Sequence, residues 1–249
     1  MLGRILLALQ MILLLTTVDA QDGSAKQASH WVRKTGLVTS RLSTREFVKW
    51  REIERIVFAE DEDLQPLHPT LRNLWQWIET SGHTVYVEII QLRGPATCTA
   101  GHFQIERFDP VGEHHIAVIK LNISSINQAY VGARTKRNNG FIPFLGLDKQ
   151  ERYAEVLGHE LAHAVHILTS LERARRVEEV IQQTNATLLF QLRQGRGRLA
   201  DDLIRRLAGR DDLLGELEEQ AEDMERIVWE ELTAHKSTGN KSFYLADKP

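Results

Sequence analysis

The chain has little cysteine and no excess of basic charge. Its 249 residues include a single cysteine, Cys98, so a fold held together by internal disulfides is excluded. Lysines and arginines number 31 against 34 aspartates and glutamates, for a formal net charge of -3. Without a basic excess the chain is poorly suited to neutralise a phosphate backbone, and we expect no nucleic acid partner.

Long hydrophobic runs are also missing after the first twenty residues. No later stretch approaches the ~18 consecutive apolar residues that a membrane-spanning helix needs, so we predict no transmembrane segment in the mature chain. What is present, 42% hydrophobic and 26% charged residues, is typical of a folded globular protein. The length suits one domain or two small ones, and nothing in the composition indicates an oligomeric state.

Residues 1–20 have the pattern of a cleaved secretory signal peptide. Arg4 supplies a positive charge, residues 5–15 form an apolar stretch too short to span a bilayer, and small side chains two positions apart end the segment. We therefore predict a mature chain that starts near Gln21 and is secreted or periplasmic. Residues 21–43 are polar and small, which predicts a flexible leader.

The rest of the chain, 44–249, predicts one α+β domain with two parts. Helical and β-rich periodicities share the first part, 44–149. The predicted elements there are helices at 44–60 and 69–80 and strands at 84–92, 102–108 and 115–121. Three strands in succession indicate a small, mostly antiparallel sheet, or a sheet with one crossover. The second part, 150–249, is almost wholly helical and contains the candidate metal site.

The candidate metal site begins with the sequence His159-Glu160-Leu161-Ala162-His163. Histidines four residues apart on a helix lie on one face, so both imidazoles can reach one metal ion. Imidazole is a good zinc ligand, and two of them leave room for a third protein group and a water molecule. Glu160 stands next to the first ligand, from where its carboxylate can take a proton from that water.

The surrounding segment 156–165, with the sequence VLGHELAHAV, resembles the extended zinc signature of the zincin metallopeptidases. The resemblance implies a zincin-like fold with the histidine pair on an active-site helix, Zn²⁺ as cofactor, Glu160 as catalytic base and a peptide or protein as substrate. The metzincin continuation would need glycine and histidine where this chain has His166 and Thr169. The chain therefore resembles the gluzincins, in which a glutamate on a downstream helix is the third ligand.

Glu231 is the predicted third ligand, on a helix expected over 211–236. The apolar stripe of this helix reaches Glu231 through Leu217, Ala221, Met224 and Val228. Burying an unpaired carboxylate is costly, and metal binding would explain it. Glu230, one position off the stripe, is the alternative ligand. A further alternative is that both belong to an acidic helix surface together with Glu216, Glu218, Glu219, Glu222 and Glu225.

Two further predictions concern His235 and the strand 115–121. His235 follows Glu231 by four residues, so it can orient that carboxylate or donate a hydrogen bond to a developing oxyanion. The alternative for His235 is a surface histidine stabilised by the helix dipole. By resemblance to the zincins, the strand 115–121 is the predicted sheet edge to which an extended substrate adds.

The leading functional hypothesis is an exported zinc-dependent peptidase that hydrolyses peptide bonds with zinc-activated water and Glu160 as general base. One alternative is a helical envelope or interaction protein whose zinc site is structural or vestigial. Another is a zinc amidase that acts on non-protein material. The sequence does not separate these hypotheses, because substrate choice depends on the shape of the site.

Overall fold

The computed structural model describes residues 34–91, 100–132, 146–193 and 212–237. Within these ranges the chain forms an α+β fold, as predicted, with four strands and six helices. The strands are β1 (Gly36–Val38), β2 (Thr84–Ile90), β3 (Gly101–Arg107) and β4 (Ile116–Asn122). The helices are α1 (Thr44–Val57), α2 (Pro69–Thr80), α3 (Ile123–Gly132), α4 (Lys149–Leu168), α5 (Leu171–Arg193) and α6 (Asp212–Ser237). The predicted signal peptide lies outside the described residues.

The four strands form one mixed sheet in the order β1-β2-β4-β3. β1 pairs with β2 and β2 with β4 in parallel, and only β3 and β4 are antiparallel. The prediction of a mostly antiparallel sheet is therefore wrong, whereas the alternative of a sheet with one crossover agrees with the non-consecutive neighbours β2 and β4. β4 enters between β2 and β3, and it is buried without interruption from Ala117 to Asn122, as is typical of a strand covered on both faces.

The strand β1 lies within the segment that the sequence analysis assigned to a flexible leader. The assignment is wrong for Gly36–Val38, because these residues pair with Thr84–Tyr86 of β2. Gly36 has a φ of +90°, and an added Cβ would overlap the carboxylate of Glu79. Only glycine fits this left-handed position without strain, so the first residue of β1 has to be a glycine.

Helix α4 is the central element of the core. It begins at Asp148, whose carboxylate accepts hydrogen bonds from the backbone of Gln150 and Glu151 in a capping box. The helix contacts the sheet on one side and α6 on the other. At Gly158 an added Cβ would lie 3.1 Å from Cγ2 of Val228, so the missing side chain lets α4 and α6 approach closely. The two helices thereby hold a fixed position next to each other.

None of the helices within the described residues is both long enough and apolar enough to cross a membrane.

Two buried histidines, His83 directly before β2 and His115 directly before β4, lie near the C-terminal end of α4. His83 and His115 are 6% and 1% exposed, and their ring centroids are 4.9 Å apart. Nδ1 of His83 accepts a hydrogen bond from the backbone N–H of His115, and Nδ1 of His115 accepts one from that of Asp109. His83 also hydrogen-bonds to the carbonyl of Leu168, the last residue of α4. A ring nitrogen that accepts a hydrogen bond carries no proton, so both rings are neutral here.

This histidine pair predicts a loss of stability in mild acid. Burial lowers the pKa of His83 and of His115. The hydrogen bond to Leu168 and the charge of Asp109 oppose this shift at His83, while His114 adds to it. At His115 the neighbouring His83 lowers the pKa further and Asp109 opposes the shift. A folded pKa below the unfolded value means that the native state binds fewer protons. The contribution to stability is therefore complete above pH ~6.5 and decreases as the pH falls below it. We expect urea unfolding between about pH 5 and 8 to show this decrease.

The variant His115→Asn serves as the reference, because the asparagine oxygen can accept the same backbone hydrogen bond and does not titrate. The difference in free energy of unfolding between wild type and His115→Asn isolates this contribution from that of other titrating groups. A difference that grows in favour of the wild type as the pH falls would contradict the prediction.

Candidate metal centre

Helices α4 and α6 bring together two imidazoles and a carboxylate. Nε2 of His159 lies 3.1 Å from Nε2 of His163, as the spacing of four residues on one helix predicts. Glu218 of α6 completes the group: its Oε2 is 3.4 Å from Nε2 of His163 and its Oε1 is 3.8 Å from Nε2 of His159. All three ligand atoms lie within 4.8 Å of one another. The group can hold a metal ion.

The spacing and chemistry of these atoms fit a tetrahedral first-row metal ion. Ligand bonds of about 2.0–2.1 Å in a tetrahedron place neighbouring ligand atoms roughly 3.3–3.4 Å apart. The two imidazole nitrogens are 3.1 Å apart and Oε2 of Glu218 is 3.4 Å from Nε2 of His163, both close to that value, while the 3.8 Å contact to His159 is made by the other carboxylate oxygen, Oε1. Two imidazole nitrogens with one carboxylate oxygen are also a donor set that zinc accepts. Among the described residues three protein groups converge, which would leave one tetrahedral position open.

Glu225, also on α6, fixes the orientation of His159. Its carboxylate is 3% exposed, and its Oε2 lies 3.1 Å from Nδ1 of His159. Burial lowers the pKa of His159, but the Glu225 carboxylate, with Glu160 and Glu218, outweighs burial and brings this pKa to about 9. Because Glu225 is hydrogen-bonded to Nδ1 of His159, the other ring nitrogen, Nε2, faces His163 and Glu218.

Glu160 is buried between α4 and the edge strand β3. The residue is 4% exposed, and its side chain lies against Gly101 at the start of β3. Burial raises the pKa of Glu160, although the neighbouring His159 and His163 act in the opposite direction. In the metal-free protein, burial therefore favours the protonated form of this carboxyl group.

The structure does not bring the predicted third ligand to the histidine pair. Both carboxylate oxygens of Glu231 accept the backbone N–H of Thr70, at 3.0 and 3.2 Å, in the first turn of α2. The alternative, Glu230, lies on the exposed side of α6, 3.2 Å from Arg226. Glu218 occupies the place predicted for Glu231. His235 lies in α6, but its side chain is outside the described part, and its predicted role stays a prediction.

The error lies in the rotational phase of α6. The residues that this helix buries are Leu217, Ala221, Glu225, Val228 and Leu232, while Met224 and Glu231 are only partly buried. Sequence reasoning gave the interior position to the apolar Met224 and treated Glu218 and Glu225 as surface. The spacing of Glu218 and Glu225 was the sequence signal that could have placed both on the inner face of α6. Residues seven apart with Ala221 between them lie on one face of a helix.

Glu231 predicts an effect on stability without an effect on the metal. Its carboxylate satisfies a free N–H group in the first turn of α2, where the helix dipole also favours negative charge. We expect Glu231→Gln to lower the free energy of unfolding by about 1 kcal/mol, measured by urea denaturation. Metal affinity should stay unchanged, since the residue does not contact the histidine pair.

Glu230→Gln is the matched control for this prediction. It removes the neighbouring charge from an exposed ion pair, and such pairs contribute less than about 1 kcal/mol. Loss of metal from Glu231→Gln, with Glu230→Gln unaffected, would show that Glu231 acts at the centre after all.

Comparison of the chain with protein-family models, with curated proteins and with solved structures finds no match. Function therefore has to be inferred from the residues of the centre themselves.

Proposed function

We propose that the protein is an exported zinc-dependent peptidase in which His159, His163 and Glu218 hold Zn²⁺. The observation that carries this proposal is the convergence of two imidazoles and a carboxylate next to a buried glutamate. Catalytic zinc sites typically have three protein ligands and one open position, whereas structural sites have four. The signal-peptide pattern of residues 1–20 supports export.

Glu160 and Glu225 would have separate roles in the proposed hydrolysis. When bound, zinc lowers the pKa of a water molecule and polarises a carbonyl. Glu160 would serve as the base that accepts a proton from the attacking water and as the acid that delivers it to the leaving nitrogen. Glu225 holds the ring of His159 in place throughout, through its hydrogen bond to Nδ1.

The sheet edge next to Glu160 supports a peptide substrate. The strand 115–121, predicted as this edge, corresponds to the central strand β4, so that part of the prediction is corrected. The edge strand next to the centre is β3, which pairs with β4 on one side and with no other strand among the described residues. An extended peptide can add to such an edge through backbone hydrogen bonds. Its backbone would then pass Gly101, which contacts Glu160.

Zinc content and cleavage of a degenerate peptide library together test the proposal. We expect the chain purified after zinc-replete expression to contain one zinc per molecule and to cleave library peptides, as read by mass spectrometry. Removal of the metal with a chelator should abolish cleavage, and added Zn²⁺ should restore it.

The outcomes separate the three hypotheses. Zinc that is retained without cleavage of any peptide would favour the interaction protein with a structural zinc site. Zinc-dependent cleavage of non-peptide amides alone would favour the amidase. Well under half an equivalent of zinc would refute the metal centre.

A further inference from the structure

We propose that Gly101 is a positioning residue for Glu160. This inference rests on the proposed function, because it concerns the residue assigned as general base. An ideal Cβ built on Gly101 would lie 2.7 Å from Cγ and 2.8 Å from Cδ of Glu160 and would also overlap its Oε1. Real Cβ atoms essentially never approach other atoms so closely. The space that a side chain would fill on this strand is filled by the carboxylate of Glu160.

The backbone of Gly101 does not itself need a glycine. Four glycines of the described residues have a positive φ (Gly36, Gly82, Gly112 and Gly146), and Gly101 is not among them. An alanine can therefore adopt its backbone conformation without strain. What an alanine lacks is room for its Cβ, so any effect of substitution has to come from the Glu160 side chain.

The strand is anchored on the side away from the free edge, so it cannot easily move aside. Gly101 pairs with Leu121 of β4, and the carbonyl of the preceding residue, Ala100, accepts the backbone N–H of Asn122 at 2.8 Å. Glu160 extends from α4, which is packed between the sheet and α6. Because both backbones are held, a methyl group at position 101 would displace the carboxylate rather than the strand.

The metal ligands, in contrast, do not depend on position 101. His159 and His163 belong to α4 and Glu218 to α6, and none of them lies on β3. Gly101→Ala should therefore separate two properties. Metal binding should survive, while the carboxylate loses the position from which it reaches the water and the leaving nitrogen.

Four proteins test this inference: wild type, Gly101→Ala, Glu160→Ala and the double variant. We expect Gly101→Ala to bind zinc within about threefold of wild type, to lower kcat by about 100-fold and to leave KM nearly unchanged, since small misplacements of a reacting group have effects of this size. Its Tm should fall by about 4 °C or more from overpacking. In the Glu160→Ala background the same substitution should leave the Tm unchanged, because the obstructing side chain is gone.

Gly215→Ala is the matched control, since an added Cβ at Gly215 meets nothing within 4 Å. It should preserve turnover and leave the Tm equal or slightly higher. If Gly101→Ala is insoluble alone, recovery of folding in the Glu160→Ala background supports the proposal, and continued insolubility overturns it.

Two results would overturn the proposal directly. One is an equal fall in Tm in both backgrounds, which would mean that the Cβ meets something other than Glu160. The other is full turnover in Gly101→Ala. A wild type that binds zinc and cleaves nothing would refute the proposed function instead, and the Tm coupling would still decide whether Gly101 positions Glu160.

Discussion

Glu160→Gln is expected to bind zinc with unchanged affinity and to lose at least ~100-fold in turnover. The glutamine keeps nearly the size and shape of the side chain, so the space beside Gly101 stays filled. It removes the basicity on which proton transfer depends. Because Glu160 is not one of the three groups that converge as ligands, the metal should be retained. Zinc content and kcat, measured on the same preparation, check both halves of this expectation.

Glu219→Gln is the control for a change of net charge at a glutamate near the centre. Glu219 is exposed, directly follows Glu218 and is not one of the three groups that converge. We expect this variant to match wild type in zinc content and turnover. Near-normal turnover of Glu160→Gln would remove Glu160 from the mechanism and leave proton transfer to another group.

Glu218→Gln is expected to lower zinc affinity by at least ~100-fold. Even substitutions beyond the direct ligands reduce metal affinity 10- to 100-fold, and a neutral amide oxygen is a much poorer zinc ligand than a carboxylate. Competition with a chelator of known affinity measures the change. The fold itself should persist, since Glu218 is only partly buried.

The ranking of three glutamates on α6 decides this point. We expect the loss of affinity to be large for Glu218→Gln and absent for both Glu219→Gln and Glu231→Gln. A larger loss for Glu231→Gln than for Glu218→Gln would mean that α6 is rotated relative to α4 in the metal-bound protein.

The sequence predicts the helices and strands of this fold better than it predicts which of them pair with each other. The expected helix over 69–80 is α2, and the strands expected from 84, 102 and 115 begin within one residue of β2, β3 and β4. Local periodicity determines such elements, because burial of one face imposes a repeat of 3.6 or 2. The pairing of strands leaves no local signal. The uninterrupted burial of β4 is typical of a central strand but does not identify the strands it pairs with, so its position between β2 and β3 was missed.

The residues of the candidate site likewise divide into those that the local sequence predicts and those that depend on how distant elements pack. His159, Glu160 and His163 are found from the sequence because their geometry is set within one and a half turns of a single helix. Glu218 follows His163 by 55 residues, and its contribution depends on how α6 packs against α4. A rule that assigns apolar residues to the interior fails where Glu218 and Glu225 face the histidines of α4. Gly101 could not be found at all, since the reason for this glycine is a side chain on another element.

In the proposed zinc protein, ligands on two helices would make the lifetime of the protein depend on its metal supply. An ion shared by α4 and α6 is bound only when the helices are packed together, so its binding free energy adds to that of folding. At a free metal concentration 100 times the dissociation constant, this addition is about 2.7 kcal/mol. In a compartment from which competing proteins withdraw zinc, the addition disappears and proteolysis of the unfolded chain accelerates. The abundance of the protein would then report on zinc availability, independently of any substrate.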